Sequence, residues 1–307
     1  MDVVAARSDL INDVIPQANF MRETFHPLLE AREAEITAIP RKTFKYGATD
    51  RHHLDVYFPP EGGSGSAPFL FFVYGGGYLG GDKIFSSFPL IHRNVGAFFA
   101  KQGFVTVIAD YRLLPNMTYP DPATDIKDAV AFVVAHVDEI NADVTVKGDS
   151  EHIFLMGHSA GAAIIATAML IPGHIPAQLQ SKIKGLILLG GAYDFSGIAS
   201  TLPFLTGYYG DQKGVQKHQP LALLESAPDD LVRALPPVFI LVSEKEPDDH
   251  ASRNANFRDV LARRSGADIP FFVMKDHNHT SVPFSLFSGQ GEEWAHEVAK
   301  WVKEHFI

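Results

Sequence analysis

Short runs of wholly apolar residues recur along the chain, and segments with helical periodicity separate them. Phe69-Leu70-Phe71-Phe72-Val73 is apolar at every position. A strand with one wet face alternates, so an unbroken run implies cover on both faces, as in a parallel sheet. This pattern predicts strands over residues 43–46, 54–58, 69–74, 105–109, 152–156, 185–189, 238–242 and 271–274. Helix-length patterns fall at 89–102, 122–137, 160–171, 251–264 and 292–305. Repeated alternation of strand and helix predicts an α/β fold, with a mostly parallel sheet of about eight strands and helices on both faces.

Two stretches break the rhythm. In the first forty residues, Leu10, Ile11, Val14 and Ile15 recur at helical spacing, and Phe20, Phe25, Leu28, Leu29 and Ile36 follow on a second stretch bounded by Pro16 and Pro40. A helical cap over a site, or a peripheral helical arm, is expected there. Residues 196–235 carry Pro203, Gly207, Tyr208, Tyr209, Gly210 and Pro220 and read as an insertion over one end of the sheet. Gly62-Gly63-Ser64-Gly65-Ser66 reads as a surface loop. The expectation is one domain over residues 1–307, with 1–40 and 196–235 as cap segments.

Composition narrows the function. The 307 residues include 26 Lys and Arg against 36 Asp and Glu, a formal charge of -10. That balance argues against nucleic acid or an anionic membrane as the main partner. There is no cysteine, which removes disulfides, thiol catalysis and zinc–thiolate sites and fits a reducing compartment. The N-terminus has an acid at Asp2 and no long apolar core, so no signal peptide is expected, and no run approaches a membrane span. A cytoplasmic protein is the expectation; the oligomeric state, a homodimer included, stays open.

Gly157-His158-Ser159-Ala160-Gly161 matches Gly-x-Ser-x-Gly. It follows the strand pattern Ile153-Phe154-Leu155-Met156 and opens the 160–171 helix pattern. That context is what the motif requires: a sharp strand-to-helix turn lifts the serine oxygen clear of the sheet, and the helix N-terminus lies near developing negative charge. Tyr74-Gly75-Gly76-Gly77-Tyr78 follows the 69–73 run. Glycines there expose backbone N–H groups, so Gly76 and Gly77, with Ala160, are the expected oxyanion donors. Gly75 to Gly80 also matches Gly-x-Gly-x-x-Gly, but neither a good helix start nor an acid after a second strand supports a dinucleotide site.

With Asp110-Tyr111-Arg112-Leu113-Leu114-Pro115, Tyr119-Pro120 and Asp125, these motifs resemble the α/β-hydrolase fold. More narrowly, residues of about 40 to 305 resemble the hormone-sensitive-lipase-like esterases and the arylformamidases (kynurenine formamidases), fungal ones among them. Two departures stand out. Most of those relatives have His before the three glycines, where this chain has Tyr74. Many of the esterases have Asp at the position of His158, whereas formamidase-like members often have His.

The fold's chain order is serine, then acid, then histidine. Glu244, Glu246 and Asp248 follow the 238–242 strand, and His277 and His279 follow the 271–274 strand. Spacing alone separates neither set. The resemblance implies Glu246, the acid directly before Pro247, with Asp248 as the alternative. It also implies His279, in Asn-His-x-Ser, with His277 as the alternative. No metal is expected, because neither His52-His53 nor His277/His279 has the spacing of a zinc hydrolase. Tyr74, Tyr78, Phe85, Phe88, His158, Phe204, Tyr208 and Tyr209 are expected near the substrate, while Arg112 and Asp125 are expected to anchor loops.

The expected activity is hydrolysis of a small carboxylic ester by Ser159, Glu246 and His279 through an acyl-enzyme, with no cofactor. An arylformamide or a lactone needs the same chemistry. A hydrolase-fold binding protein without turnover is the rival from another class.

Overall fold

The computed structural model describes residues 1–5, 7–60, 65–198 and 202–306. Eight strands form one sheet: β1 (Arg41–Lys45), β2 (His53–Tyr57), β3 (Gly65–Val73), β4 (Val105–Ala109), β5 (Val146–His158), β6 (Ile183–Leu189), β7 (Val238–Lys245) and β8 (Phe271–Asn278). Their order is β1-β2-β4-β3-β5-β6-β7-β8. The β1/β2 and β2/β4 pairs are antiparallel, and every other pair is parallel. Phe71 stands opposite Val107 on one side and Leu155 on the other. The apolar run of β3 is therefore buried in the middle of the sheet, as its lack of alternation required.

Helices Arg93–Lys101, Ala160–Leu170, His250–Ser265 and Glu293–His305 pack on β4, β5, β7 and β6 respectively. Helix Ala160–Leu170 is buried along its whole length, so its sequence carries no amphipathic stripe. Among the described residues, no helix is long and apolar enough to cross a membrane.

The order β4-β3-β5 marks a switch point. The chain leaves β3 toward one side of the sheet and β5 toward the other. Ligands in open α/β sheets sit in the crevice beyond the carboxyl ends of such strands. The glycine loop follows β3 there, and Ser159 follows β5.

Several boundaries differ from the sequence expectation, three of them instructively. Strand β5 begins at Val146, six residues early, because Lys147-Gly148-Asp149 pairs with Ser66-Ala67-Pro68 through its backbone and leaves no apolar signal. Pro16 does not bound a helix: it lies in the first turn of Val14–Glu30, where a missing N–H breaks no bond. Gly65 and Ser66, expected in a loop, open β3, and residues 62–64 of that loop lie outside the described residues.

The described residues of 196–235 contain four short helices, Pro203–Tyr209, Gln212–His218, Pro220–Ser226 and Asp229–Arg233. They meet the glycine loop. Tyr208 stacks on Tyr78 with ring centroids 4.2 Å apart, and a Cβ on Gly77 would lie 4.0 Å from the Phe204 ring.

Candidate active site

Ser159 occupies the turn between β5 and helix Ala160–Leu170 with φ 55° and ψ -120°. A non-glycine residue rarely adopts a positive φ, so surrounding structure must hold it. Its N–H donates to the Leu189 carbonyl at 2.9 Å. The neighbouring glycines supply room. A Cβ on Gly161 would lie 2.0 Å from the Val73 oxygen, and one on Gly75 would lie 2.9 Å from the Ser159 Cβ. The glycine loop thus presses directly on the serine turn.

The loops after β7 and β8 bring the other two groups. His279 Nε2 is 2.9 Å from Ser159 Oγ, and His279 Nδ1 is 2.7 Å from Glu246 Oε2. His279 and Glu246 are buried, while Ser159 keeps partial exposure. The other oxygen of Glu246 accepts from the Ser243 N–H at 3.0 Å. Burial would raise the Glu246 carboxyl. The charge and hydrogen bond of His279, the charge of His250 and the Ser243 N–H outweigh it and hold the carboxyl down to about 2. Near neutral pH it is an anion that accepts from imidazole.

The alternatives are drawn elsewhere. Asp248 is exposed and accepts from Asn12 Nδ2 at 2.7 Å. Glu244 accepts from the Asp276 N–H. His277 lies with Nδ1 2.9 Å from Ser281 Oγ and Nε2 2.8 Å from the Gly291 carbonyl, so it does not reach the serine.

Gly76, with φ 136°, and Gly77, with φ 61°, follow Gly75 in the glycine loop, and Ala160 follows Ser159 at the helix start. Among the described residues, no hydrogen bond engages the N–H groups of these three. The Ala160 N–H is one of the orphan donors at a helix start, where the dipole adds positive potential.

The expected substrate-lining residues need correction. Tyr74 is fully buried. Its hydroxyl donates to Asp110 Oδ1 at 2.7 Å and accepts from Arg51 Nη2 at 2.8 Å, and its ring stacks on Tyr111 and His92. It anchors the glycine loop and offers no surface to a ligand. Tyr78 and Tyr208 bury each other, with Tyr209 against Tyr208. His158 is buried with Nε2 2.8 Å from the His279 carbonyl. Phe85 and Phe88 pack against Arg22 and His26 of the N-terminal helix. Phe204 keeps exposed surface beside Gly77. Arg112 grips Asp125 through Nε and Nη2, at 3.0 and 2.6 Å, and ties its loop to helix Asp121–Ala135.

Sequence reasoning missed His250, Gly190 and Asn254. His250 Nε2 is 2.9 Å from the Gly190 carbonyl and 4.0 Å from Glu246 Oε2. Asn254 bonds the Gly191 N–H and carbonyl, each at 3.0 Å. The signal was weak: these residues carry no motif, and the 189–192 loop reaches the site through tertiary pairing, with the Ser159 N–H donating to the Leu189 carbonyl and the Gly190 N–H to the Leu241 carbonyl. Among the described residues, Glu246, His250 and His279 form the one group whose ligand atoms converge, within 4.8 Å. The two ring nitrogens facing that group donate protons to a carboxylate and a carbonyl. In that state neither offers a lone pair to a metal.

Comparisons with known proteins bear on this arrangement. A family model described as BD-FAE matches residues 54–246, more than half of the chain. An isoprenylcysteine alpha-carbonyl methylesterase of Arabidopsis thaliana is 25% identical over 82% of the chain and 60% of its own length. A probable carboxylic ester hydrolase, LipM, of Mycobacterium tuberculosis is 28% identical over 74% of the chain and 54% of its own. The chain thus spans little more than half the length of these curated relatives. An esterase of Rhizomucor miehei superposes with a TM-score of 0.69 at 20% identity, covering 94% of this chain and 90% of the other. A thermostable esterase of Pseudomonas putida does so at 0.68 and 21%, with the same coverage. The architecture is that of these hydrolases.

Proposed function

Because the chain belongs to the BD-FAE family and has the α/β-hydrolase fold, we propose that it hydrolyses a small carboxylic ester through an acyl-enzyme on Ser159. The observation that carries the reading is the pair of contacts made by His279, 2.9 Å to Ser159 Oγ and 2.7 Å to Glu246 Oε2. With Nδ1–H donated to Glu246, His279 Nε2 is the basic nitrogen and accepts the Ser159 proton. The freed oxygen attacks the ester carbonyl. The N–H groups of Gly76, Gly77 and Ala160 receive the oxyanion. His279 then returns the proton to the leaving alcohol, and a water activated by the same nitrogen releases the acid. Glu246 holds the ring in one tautomer and stabilises imidazolium. The names of the relatives, a methylesterase and a carboxylic ester hydrolase, support an ester as substrate.

The same reading makes one catalytic unit of the chain, with residues 196–235 covering the crevice beside Gly77. Phe204 supports this as a half-buried ring that faces Gly77.

The test is turnover of p-nitrophenyl esters from acetate to decanoate, with Ser159→Ala as control and N-formylkynurenine alongside. Short-ester turnover that disappears in the variant is expected. Failure of a fluorophosphonate to label Ser159 in the folded protein would overturn the reading, and a preference for N-formylkynurenine would move the substrate to an amide.

A further inference from the structure

Gln17 has no solvent exposure. It sits in helix Val14–Glu30, which packs against the segment Ser281–Ser285 just beyond His279. A buried amide needs partners for its oxygen and its nitrogen. Gln17 Oε1 accepts from the Thr280 hydroxyl at 3.0 Å and from the Thr280 N–H at 3.2 Å, the latter shared with Asn278 Oδ1 at 3.2 Å. Its Nε2 donates to the Leu10 carbonyl at 3.2 Å. The residue next to His279 is therefore tied to the N-terminal segment.

Five residues upstream, Asn12 ties the same segment to the other loop. Asn12 Nδ2 donates to Asp248 Oδ2 at 2.7 Å, and Asn12 Oδ1 accepts from the Asp248 N–H at 2.8 Å. Asp248 is two residues beyond Glu246. Residues 12–17 thus bridge the loop that carries Glu246 and the loop that carries His279. Between the ends of β7 and β8 that lead into these loops, the Ser243 hydroxyl reaches the Asn278 carbonyl at 3.0 Å, in addition to the Glu246–His279 bond.

We propose that Gln17 and Asn12 are positioning residues, and that segment 12–17 sets the Glu246–His279 geometry from outside the sheet. The inference rests on the esterase reading above. Small displacements of a base from its nucleophile carry large rate penalties, whereas Gln17 and Asn12 bond Thr280, Leu10 and Asp248 and not Ser159, Glu246 or His279 themselves. Their loss therefore acts on kcat and leaves KM alone.

The experiment uses the full chain and one p-nitrophenyl ester, below the unfolding temperature of every variant. Gln17→Met is expected to lower kcat roughly tenfold with KM within about twofold of wild type. Asn12 is exposed, so Asn12→Ala folds even if Gln17→Met does not, and it should lower kcat by roughly threefold. Gln17 acts through Thr280, so the Gln17→Met/Thr280→Val pair should be no slower than the worse single variant. Unchanged kcat in Asn12→Ala, or losses that multiply in the double variant, would overturn the inference. Wild type and Ser159→Ala run in parallel: a wild type no faster than Ser159→Ala overturns the esterase reading and this one with it, whereas an active wild type with unaltered variants sinks only the positioning role.

Discussion

The Nε2–H of His158 donates to the main-chain carbonyl of His279 at 2.8 Å. The residue before the proposed nucleophile thus holds the backbone of the proposed base. Burial, helped by the positive charge His279 carries when protonated, pushes His158 down to about 3. The ring stays neutral near pH 7, and its carbonyl partner requires the proton on Nε2. His158→Ala leaves that carbonyl unpaired and frees the His279 loop. Steady-state ester kinetics should show kcat down roughly tenfold with a smaller change in KM; wild-type kcat would argue against the tether.

Tyr74 holds the glycine loop through Asp110 and Arg51. Burial pushes the Asp110 carboxyl up to about 6, against the hydrogen bond from Tyr74. Removing the phenolic hydroxyl leaves Asp110 with the Lys83 N–H at 2.6 Å and Arg51 at 3.6 Å. Tyr74→Phe is expected to destabilise by about 1–3 kcal/mol, read as a shift of the urea midpoint at constant slope.

Gly190 has φ 50°, and a Cβ there would lie 2.8 Å from Glu246 Oε1 and 3.4 Å from His279 Nδ1. Gly190→Ala must move the carboxylate or the loop. The expected result is a kcat loss of roughly tenfold or more in a protein that still folds by circular dichroism. An alanine variant with full activity would show that the loop yields without disturbing Glu246.

Acid should weaken the fold above the ordinary carboxylate range. Burial pushes His92 and His277 down to about 4 and His158 to about 3, from an ordinary 6.5. Between pH 6.5 and 4 the unfolded chain binds protons that these rings refuse, so stability falls as pH falls. Asp110 opposes this, because its raised value lets the native state keep a proton from about pH 6 down through the rest of that window. Three groups outweigh one. Glu246, held low in the native state, adds a further loss below about 4.5, its ordinary value. Urea midpoints measured from pH 8 to pH 4 should decline below 6.5, and a flat profile would contradict the buried neutral histidines.

Much of the fold was legible because strands buried on both faces write themselves as unbroken apolar runs. Strand Val105–Ala109 matches its expected span, and the other strands overlap theirs, although β1, Arg41-Lys42-Thr43-Phe44-Lys45, carries no such run. The first half of β5 was not, because Lys147-Gly148-Asp149 pairs by backbone alone at the exposed end of the sheet. Pro16 misled for a related reason: proline in a first turn costs a helix nothing, yet in sequence it looks like a boundary.

The sequence by itself determined the serine turn, the glycine loop and the order of acid and histidine after them, since each depends on local chain geometry and residue type. Which acid and which histidine lie together beside Ser159, Glu246 and His279 and not Asp248 and His277, is visible only in three dimensions. Two residues along a loop change which way a side chain faces, and Asn12 and Gly291, distant in sequence, take the unused partners. Tyr74 belongs to the same class. Its neighbours Asp110, Arg51 and His92 come from separate elements, and their convergence makes an aromatic next to the glycine loop an anchor instead of a pocket wall.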